Sequence, residues 1–66
     1  MSAGKTIKAL REKRGLSQEQ LAIKSNLSQS RISAYELEKT EITAKTFEQI
    51  LNALGYELVA RKRREE

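Results

Sequence analysis

Two helix-start signals, eleven residues apart, constrain the fold of this chain more than any other feature. Ser17 and Gln20 have the S-x-x-Q spacing of a capping box, in which both side chains bond free backbone groups at a helix start. Ser28 repeats the N-cap role. Before it lies Asn26, the residue type that, after glycine, most readily takes the left-handed conformation common at helix ends. The sequence predicts two short helices joined by a sharp turn over residues 25–27.

The apolar spacing predicts four helices in all. The first contains Ile7 and Leu10 and ends at Gly15, and the second runs from residue 18 to 24 with an apolar stripe at 21–23. The third covers residues 29–37 and is followed by an irregular connection. The fourth starts at the N-cap Thr43, is the most amphipathic, and ends at Gly55. The residues expected in the core are Leu21, Leu27, Ile32, Tyr35, Phe47, Ile50 and Leu54.

The size of the chain favours a homodimer. A domain of 66 residues buries only about 60 percent of the surface of its unfolded chain, and without cysteine or histidine it has neither disulfides nor a zinc site to stabilise it. Residues 56–61 alternate like a short strand, which needs a ladder partner. We expect that partner to be a second copy, with the dimer contact made by Tyr56, Leu58 and Val59.

Composition also limits the function. The chain has no histidine, cysteine or aspartate, so most groups for nucleophilic or acid-base chemistry are missing, and we expect no enzyme, no metal and no cofactor. No apolar run reaches the length of a membrane span and the start lacks a signal-peptide pattern, which predicts no membrane partner and a cytoplasmic location. Residues 61–66 carry half of the net charge of +4. The basic run from Arg61 to Arg64 has three interpretations: it contacts phosphate, it contacts a partner protein, or it forms a disordered solvated tail.

From Ile7 to Gly55 the chain resembles the Xre/Cro-type helix-turn-helix repressors of phages and bacteria. The match rests on GLSQEQLA at residues 15–22 and on positions in the first helix, the turn, the third helix and the fourth helix. These positions are Ile7, Leu10, Arg11, Leu27, Ser28, Gln29, Ser30, Ile32, Ser33, Glu36, Phe47, Ile50, Ala53, Leu54 and Gly55. The resemblance implies an all-α, lambda-repressor-like DNA-binding domain of four to five helices over residues 1–55. A dimerisation strand at 56–61 and a charged, disordered tail at 62–66 would follow.

The end of the chain, GYELVARKR, is similar to HipB-like antitoxin repressors, in which a C-terminal strand pairs across the dimer axis. The chain departs from the family pattern at Glu38 and Ile42, where glycine and proline are usual. Without the glycine we expect helix three to run on or to end by another route than a left-handed residue.

The resemblance places the third helix in the major groove, with base contacts from its first residues. These are Ser28, Gln29, Ser30, Ser33 and Ala34. Gln29 is the strongest candidate, because its amide can pair with both N6 and N7 of adenine, although an exposed glutamine can also serve solubility alone. Ser33 reaches DNA only if the helix enters closely, and Ala34 would at most touch a thymine methyl.

Phosphate contacts are expected from Gln18, Arg31, Lys39, Thr40 and Lys45. Gln18 lies at a positive helix end, which favours an anion, but it can instead complete the helix cap. Arg31 suits a phosphate better than a base edge, or is a solvated charge. By the resemblance, Arg11 and Glu36 form a structural ion pair and do not touch DNA.

These features predict a sequence-specific transcriptional regulator, a repressor that binds double-stranded DNA at a palindromic operator as a homodimer. Two alternatives remain open. One is an antitoxin that also binds a toxin protein, and the other is a protein-interaction module without DNA binding.

Overall fold

The computed structural model describes residues 2–59 and contains four α-helices in that range. They are α1 (Ala3–Lys13), α2 (Gln18–Ser25), α3 (Gln29–Glu36) and α4 (Ala44–Ala53). Both α1 and α2 pack against α3 and against α4. The prediction of an all-α fold is confirmed for this part of the chain. None of these helices is long and apolar enough to cross a bilayer.

Every helix starts at a serine or threonine whose hydroxyl accepts a backbone N–H from the first turn: Ser2, Ser17, Ser28 and Thr43. At Ser17 the capping box is complete, since its hydroxyl accepts from the Gln20 amide nitrogen at 3.0 Å and its own N–H donates to the Gln20 side chain at 2.8 Å. The caps at 17, 28 and 43 confirm the sequence prediction.

Every helix also ends in the same way, with a residue of positive φ followed by a backbone bond back into the last turn. The four left-handed residues are Gly15, Asn26, Glu38 and Gly55, with φ of 69°, 60°, 59° and 88°. The next amide then reaches the carbonyl five residues earlier: Leu16 to Arg11, Leu27 to Ala22, Lys39 to Ala34 and Tyr56 to Leu51. This is the Schellman motif, which satisfies carbonyls that the helix leaves free.

The expectation for Glu38 was therefore wrong. Helix α3 neither runs on nor ends by another route, because Glu38 takes the left-handed conformation that glycine would take there. The Glu38 amide bonds the Tyr35 carbonyl at 3.1 Å and the Lys39 amide bonds the Ala34 carbonyl at 2.9 Å. These bonds hold a conformation that costs an L-residue roughly 1–2 kcal/mol.

The core lies where the inner faces of the four helices meet. Five side chains are fully buried there: Ile7, Leu21, Ile32, Ile50 and Leu54. Tyr35 and Ala22 join them, and Leu27 and Phe47 are half-buried against the cluster. The predicted core is thus observed, but the stripe predicted at residues 21–23 is wrong at Ile23, which is 75% exposed. The inner face of α2 consists of Leu21, Ala22 and Ser25, and a helix turns Ile23 away from that face.

Residues 56–59, the described part of the predicted strand, form no strand within the single chain. Tyr56, Leu58 and Val59 are exposed there. A strand that pairs with a second copy has no ladder partner in one chain, so the HipB-like strand is not observed. The rest of that strand and the tail at 62–66 lie outside the described residues.

Candidate nucleic-acid interface

The turn between α2 and α3 sets the direction in which α3 leaves the core. Asn26 has φ 60° and ψ 40°, and the Leu27 amide bonds the Ala22 carbonyl at 2.9 Å. Leu27 then packs against the core from the inside of the turn. Because the corner is fixed by backbone bonds and by an apolar contact, the start of α3 is held at one angle to α2.

A buried carboxylate holds three helices together beneath this corner. Glu36, on the last turn of α3, accepts from Arg11 Nε at 2.7 Å and from Arg11 Nη2 at 3.0 Å. Arg11 Nη1 also donates to the Leu16 carbonyl at 2.8 Å. The hydrogen bond to Glu36 raises the pKa of the Arg11 guanidinium above its ordinary value, so this cation stays charged. The ion pair that the resemblance implied is present, with only 2% of the Glu36 side chain exposed.

The face of α3 opposite the core begins with exposed polar residues. Ser28, Gln29 and Ser30 are exposed, whereas Ser33 and Ala34, one turn further, are half-buried. The Ser28 hydroxyl is already engaged, since it accepts from the Arg31 amide at 3.2 Å and lies 3.3 Å from the Ser30 hydroxyl. Within residues 2–59 the Gln29 side chain is exposed and, unlike the Ser28 hydroxyl, takes part in no side-chain hydrogen bond. Its donor and acceptor are both available to a ligand.

Gln18 lies in a different environment from the one the sequence suggested. It is half-buried, and its Nε2 donates to Glu36 Oε1 at 3.1 Å, which ties the start of α2 to the end of α3. The side chain is thus part of the buried ion-pair network. What remains open at this helix start is the backbone, because the Ser17 hydroxyl accepts only the Gln20 amide and the first amides of a helix have no intrahelical partner.

The Arg31 side chain reaches along its own helix to Tyr35, one turn toward the C-terminus. Its Nη2 donates to the Tyr35 hydroxyl at 2.7 Å, and its guanidinium carbon lies 5.6 Å from the centre of the Tyr35 ring. The remaining predicted phosphate contacts are Lys39, Thr40 and Lys45, all exposed. Lys39 and Thr40 lie in the connection between α3 and α4, and Lys45 is in the first turn of α4.

A family model described as helix-turn-helix matches residues 7–60. The chain belongs to the helix-turn-helix family. An immunity repressor protein of Bacillus phage phi105 is 40% identical over 60 residues, which make up 91% of this chain and 42% of the phage protein. The chain therefore spans less than half of that relative's length. No solved structure matches it.

Two contacts that build this helix-turn-helix domain were missed from the sequence. Arg14, at the end of α1, donates to the Leu54 carbonyl at the end of α4. Gln49 of α4 donates through Nε2 to the Ser25 carbonyl at 2.6 Å, behind the turn. Neither contact has a local sequence signal, because each joins residues at least 24 positions apart.

Gly4 was also missed, although a signal for it was present. It is buried in the first turn of α1, where a Cβ would overlap the Tyr35 carbonyl and lie 3.1 Å from the Glu38 Cγ. That signal is a glycine inside a helix. Because glycine in a helix costs about 1 kcal/mol relative to alanine, its presence there indicates a packing reason.

Proposed function

We propose that this helix-turn-helix protein is a sequence-specific transcriptional repressor that binds double-stranded DNA as a homodimer. The observation that carries the proposal is the start of α3, where Gln29 and Ser30 are exposed. The corner at Asn26 holds the start of that helix, and the carboxylate of Glu36 holds its end. A rigidly held helix with free polar residues at its N-terminus is the element that enters the major groove in helix-turn-helix proteins.

Gln29 is the proposed base-reading residue. Its amide offers a donor and an acceptor side by side, which matches N7 and N6 of adenine. Ser30 lies beside it, and Ser33 reaches a base edge only at close approach because it is half-buried. Ser28 contributes mainly by capping the helix, and Ala34 offers only its methyl group to a thymine.

Phosphate contacts surround this reading surface in the proposal. The free backbone amides at the start of α2, beside Gln18, suit a phosphate oxygen because a helix N-terminus carries partial positive charge. The Gln18 side chain itself orients this helix end through Glu36. Arg31, Lys39, Thr40 and Lys45 are exposed and supply further donors. Such contacts position the protein on DNA without reading sequence.

The homodimer in the proposal uses residues 56–61. The apolar side chains of Tyr56, Leu58 and Val59 are 36%, 46% and 64% exposed in the single chain, and a strand made from this segment would find its ladder partner in a second copy. Two α3 helices related by a two-fold axis would then enter major grooves about 34 Å apart, which sets palindromic half-sites roughly 10 base pairs apart.

The relative supports the same function. The phage phi105 protein is named an immunity repressor. We propose that this chain also represses transcription, by a steric block. A toxin-binding antitoxin and a pure interaction module use the same fold and differ in what they bind.

Selection of duplexes from a random DNA pool tests the proposal directly. We expect recovery of a palindromic motif, and binding that weakens steeply as salt rises, because phosphate contacts release counterions. Recovery of no motif and no binding to any duplex at low salt would leave only the interaction module. A neighbouring gene product that co-purifies in fixed ratio would favour the antitoxin.

A further inference from the structure

Arg31 and Tyr35 form a unit on α3 that neither the family match nor the predicted contacts explain. The Tyr35 ring belongs to the core, with 7% of the residue exposed, while Arg31 is exposed. A hydrogen bond of 2.7 Å from Arg31 Nη2 to the Tyr35 hydroxyl joins the two. An exposed cation is thereby attached to a side chain that the core holds fixed.

The contact between Arg31 and Tyr35 combines an interaction with the ring and a hydrogen bond to the hydroxyl. The guanidinium carbon lies 5.6 Å from the Tyr35 ring centre, within the range of a cation–π interaction. The hydroxyl oxygen accepts one N–H of Nη2. A guanidinium has five N–H donors, so four remain for a ligand. Among residues 2–59 no carboxylate lies within ion-pair distance of Arg31, so no ion pair in this part of the chain competes for its remaining donors.

We propose that Tyr35 is a positioning residue for DNA binding, which holds the Arg31 guanidinium in place for a phosphate at the edge of the α3 surface. This inference rests on the proposed function. An arginine side chain has large rotamer freedom, and immobilising it is a cost of binding. Because the Tyr35 hydroxyl imposes that order in the free protein, DNA does not have to impose it.

The test compares Tyr35→Phe, which keeps the ring and removes only the hydroxyl, with Arg31→Ala and the double variant. The probes are a duplex of about 30 base pairs from the selection, long enough for two half-sites, and a random-sequence duplex of equal length. We expect Tyr35→Phe to weaken binding to both duplexes about fivefold, the order of effect of freeing one long side chain. We expect it to have no further effect once Arg31 is alanine. Lys8→Ala, which removes an exposed charge from α1, is the charge-matched control.

The outcomes separate the two proposals. If the wild type binds no duplex, the proposed function fails and this inference fails with it. If the wild type binds and Tyr35→Phe binds equally well, or weakens binding to the same degree in the Arg31→Ala background, DNA binding stands and the positioning role is wrong.

A second measurement does not depend on how Tyr35→Phe folds. Nitrogen-15 relaxation of Arg31 Nε in the free wild-type protein reports the order of that side chain. We expect it to be as ordered as Nε of the half-buried Arg11, which the Glu36 carboxylate holds in place. A freely mobile Arg31 Nε would overturn the inference.

Discussion

Arg11 Nε and Glu36 Oε2 lie 2.7 Å apart and join the first helix to the end of the helix proposed to enter DNA. The bond is one of three that Arg11 makes, the others reaching Glu36 Oε1 and the Leu16 carbonyl. Gln18 adds a third donor to the Glu36 carboxylate. This buried network fixes the direction of α3 from below, so its loss affects both the stability of the domain and the placement of Gln29.

Arg11→Met is expected to lower the free energy of unfolding by about 3 kcal/mol, because it leaves the Glu36 carboxylate buried without its cation. Urea unfolding followed by circular dichroism measures this. Lys13→Met, an exposed change on the same helix, should stay within about 0.5 kcal/mol of wild type. Equal effects of the two substitutions would contradict a stabilising role for the ion pair.

The pH dependence of this contribution follows from the raised pKa of Arg11. A cation whose pKa is raised on folding contributes its full stabilisation below its unfolded pKa and loses it as the pH rises through the folded pKa. We therefore expect the stabilisation from Arg11 to be constant through neutral pH. Urea unfolding of the wild type and of Arg11→Met at several pH values around neutrality would reveal any change in their difference.

Glu38→Gly is expected to stabilise the domain by about 1 kcal/mol, since Glu38 has φ 59° and glycine takes that conformation without steric cost. Thermal unfolding measures the gain. Glu38→Ala is the matched control, because it removes the same side chain but keeps a Cβ. If both variants unfold at the same temperature, the left-handed conformation carries no cost here.

Gly4→Ala is expected to destabilise the domain by about 2 kcal/mol, because the new Cβ overlaps the Tyr35 carbonyl and separates α1 from α3. Gly15→Ala makes the same chemical change at a position with φ 69° and no neighbour within 4 Å, so it isolates backbone strain from steric overlap. Urea unfolding of both variants separates the causes. A stable Gly4→Ala variant would show that the two helices do not need to lie so close.

Gln29→Ala is expected to remove most of the preference for the selected duplex over random DNA while leaving binding to random DNA nearly unchanged. A bidentate contact to a base discriminates by about 1–3 kcal/mol, and phosphate contacts do not depend on it. Competition gel shifts give the ratio of the two affinities. An unchanged ratio would show that Gln29 is an exposed residue without a reading role.

A double substitution, Leu58→Glu with Val59→Glu, is expected to convert the protein to a monomer. Both residues are exposed in the single chain, so the fold should tolerate the change, while two glutamates in each chain would oppose pairing of the segment. Sedimentation measures the mass. Ile23→Glu, which alters an apolar residue of α2 that is 75% exposed, should leave a dimer intact. A double variant that still sediments as a dimer would show that pairing does not use residues 56–61.

Local chemistry determined most of the helix boundaries. Ser17, Ser28 and Thr43 cap their helices, and Gly15, Asn26 and Gly55 end them, because a cap acts on backbone groups within a few residues. The apolar spacing identified the inner face of α4, because residues three and four apart on a helix lie on the same face. The corner at Asn26, which presents α3, could therefore be predicted from the sequence alone.

The tertiary structure decided what depends on residues distant in the chain. The sequence suggested that Gln18 faces a phosphate, yet its amide bonds Glu36, eighteen positions away. Glu38 disfavours a left-handed helix end, yet the Schellman bonds and the packing of α3 against α1 hold it there. Ile23 belongs to an apolar run, but the contacts of α2 with its neighbours leave it outside. In each case a contact between helices decided the outcome, and such contacts exist only once the helices have packed.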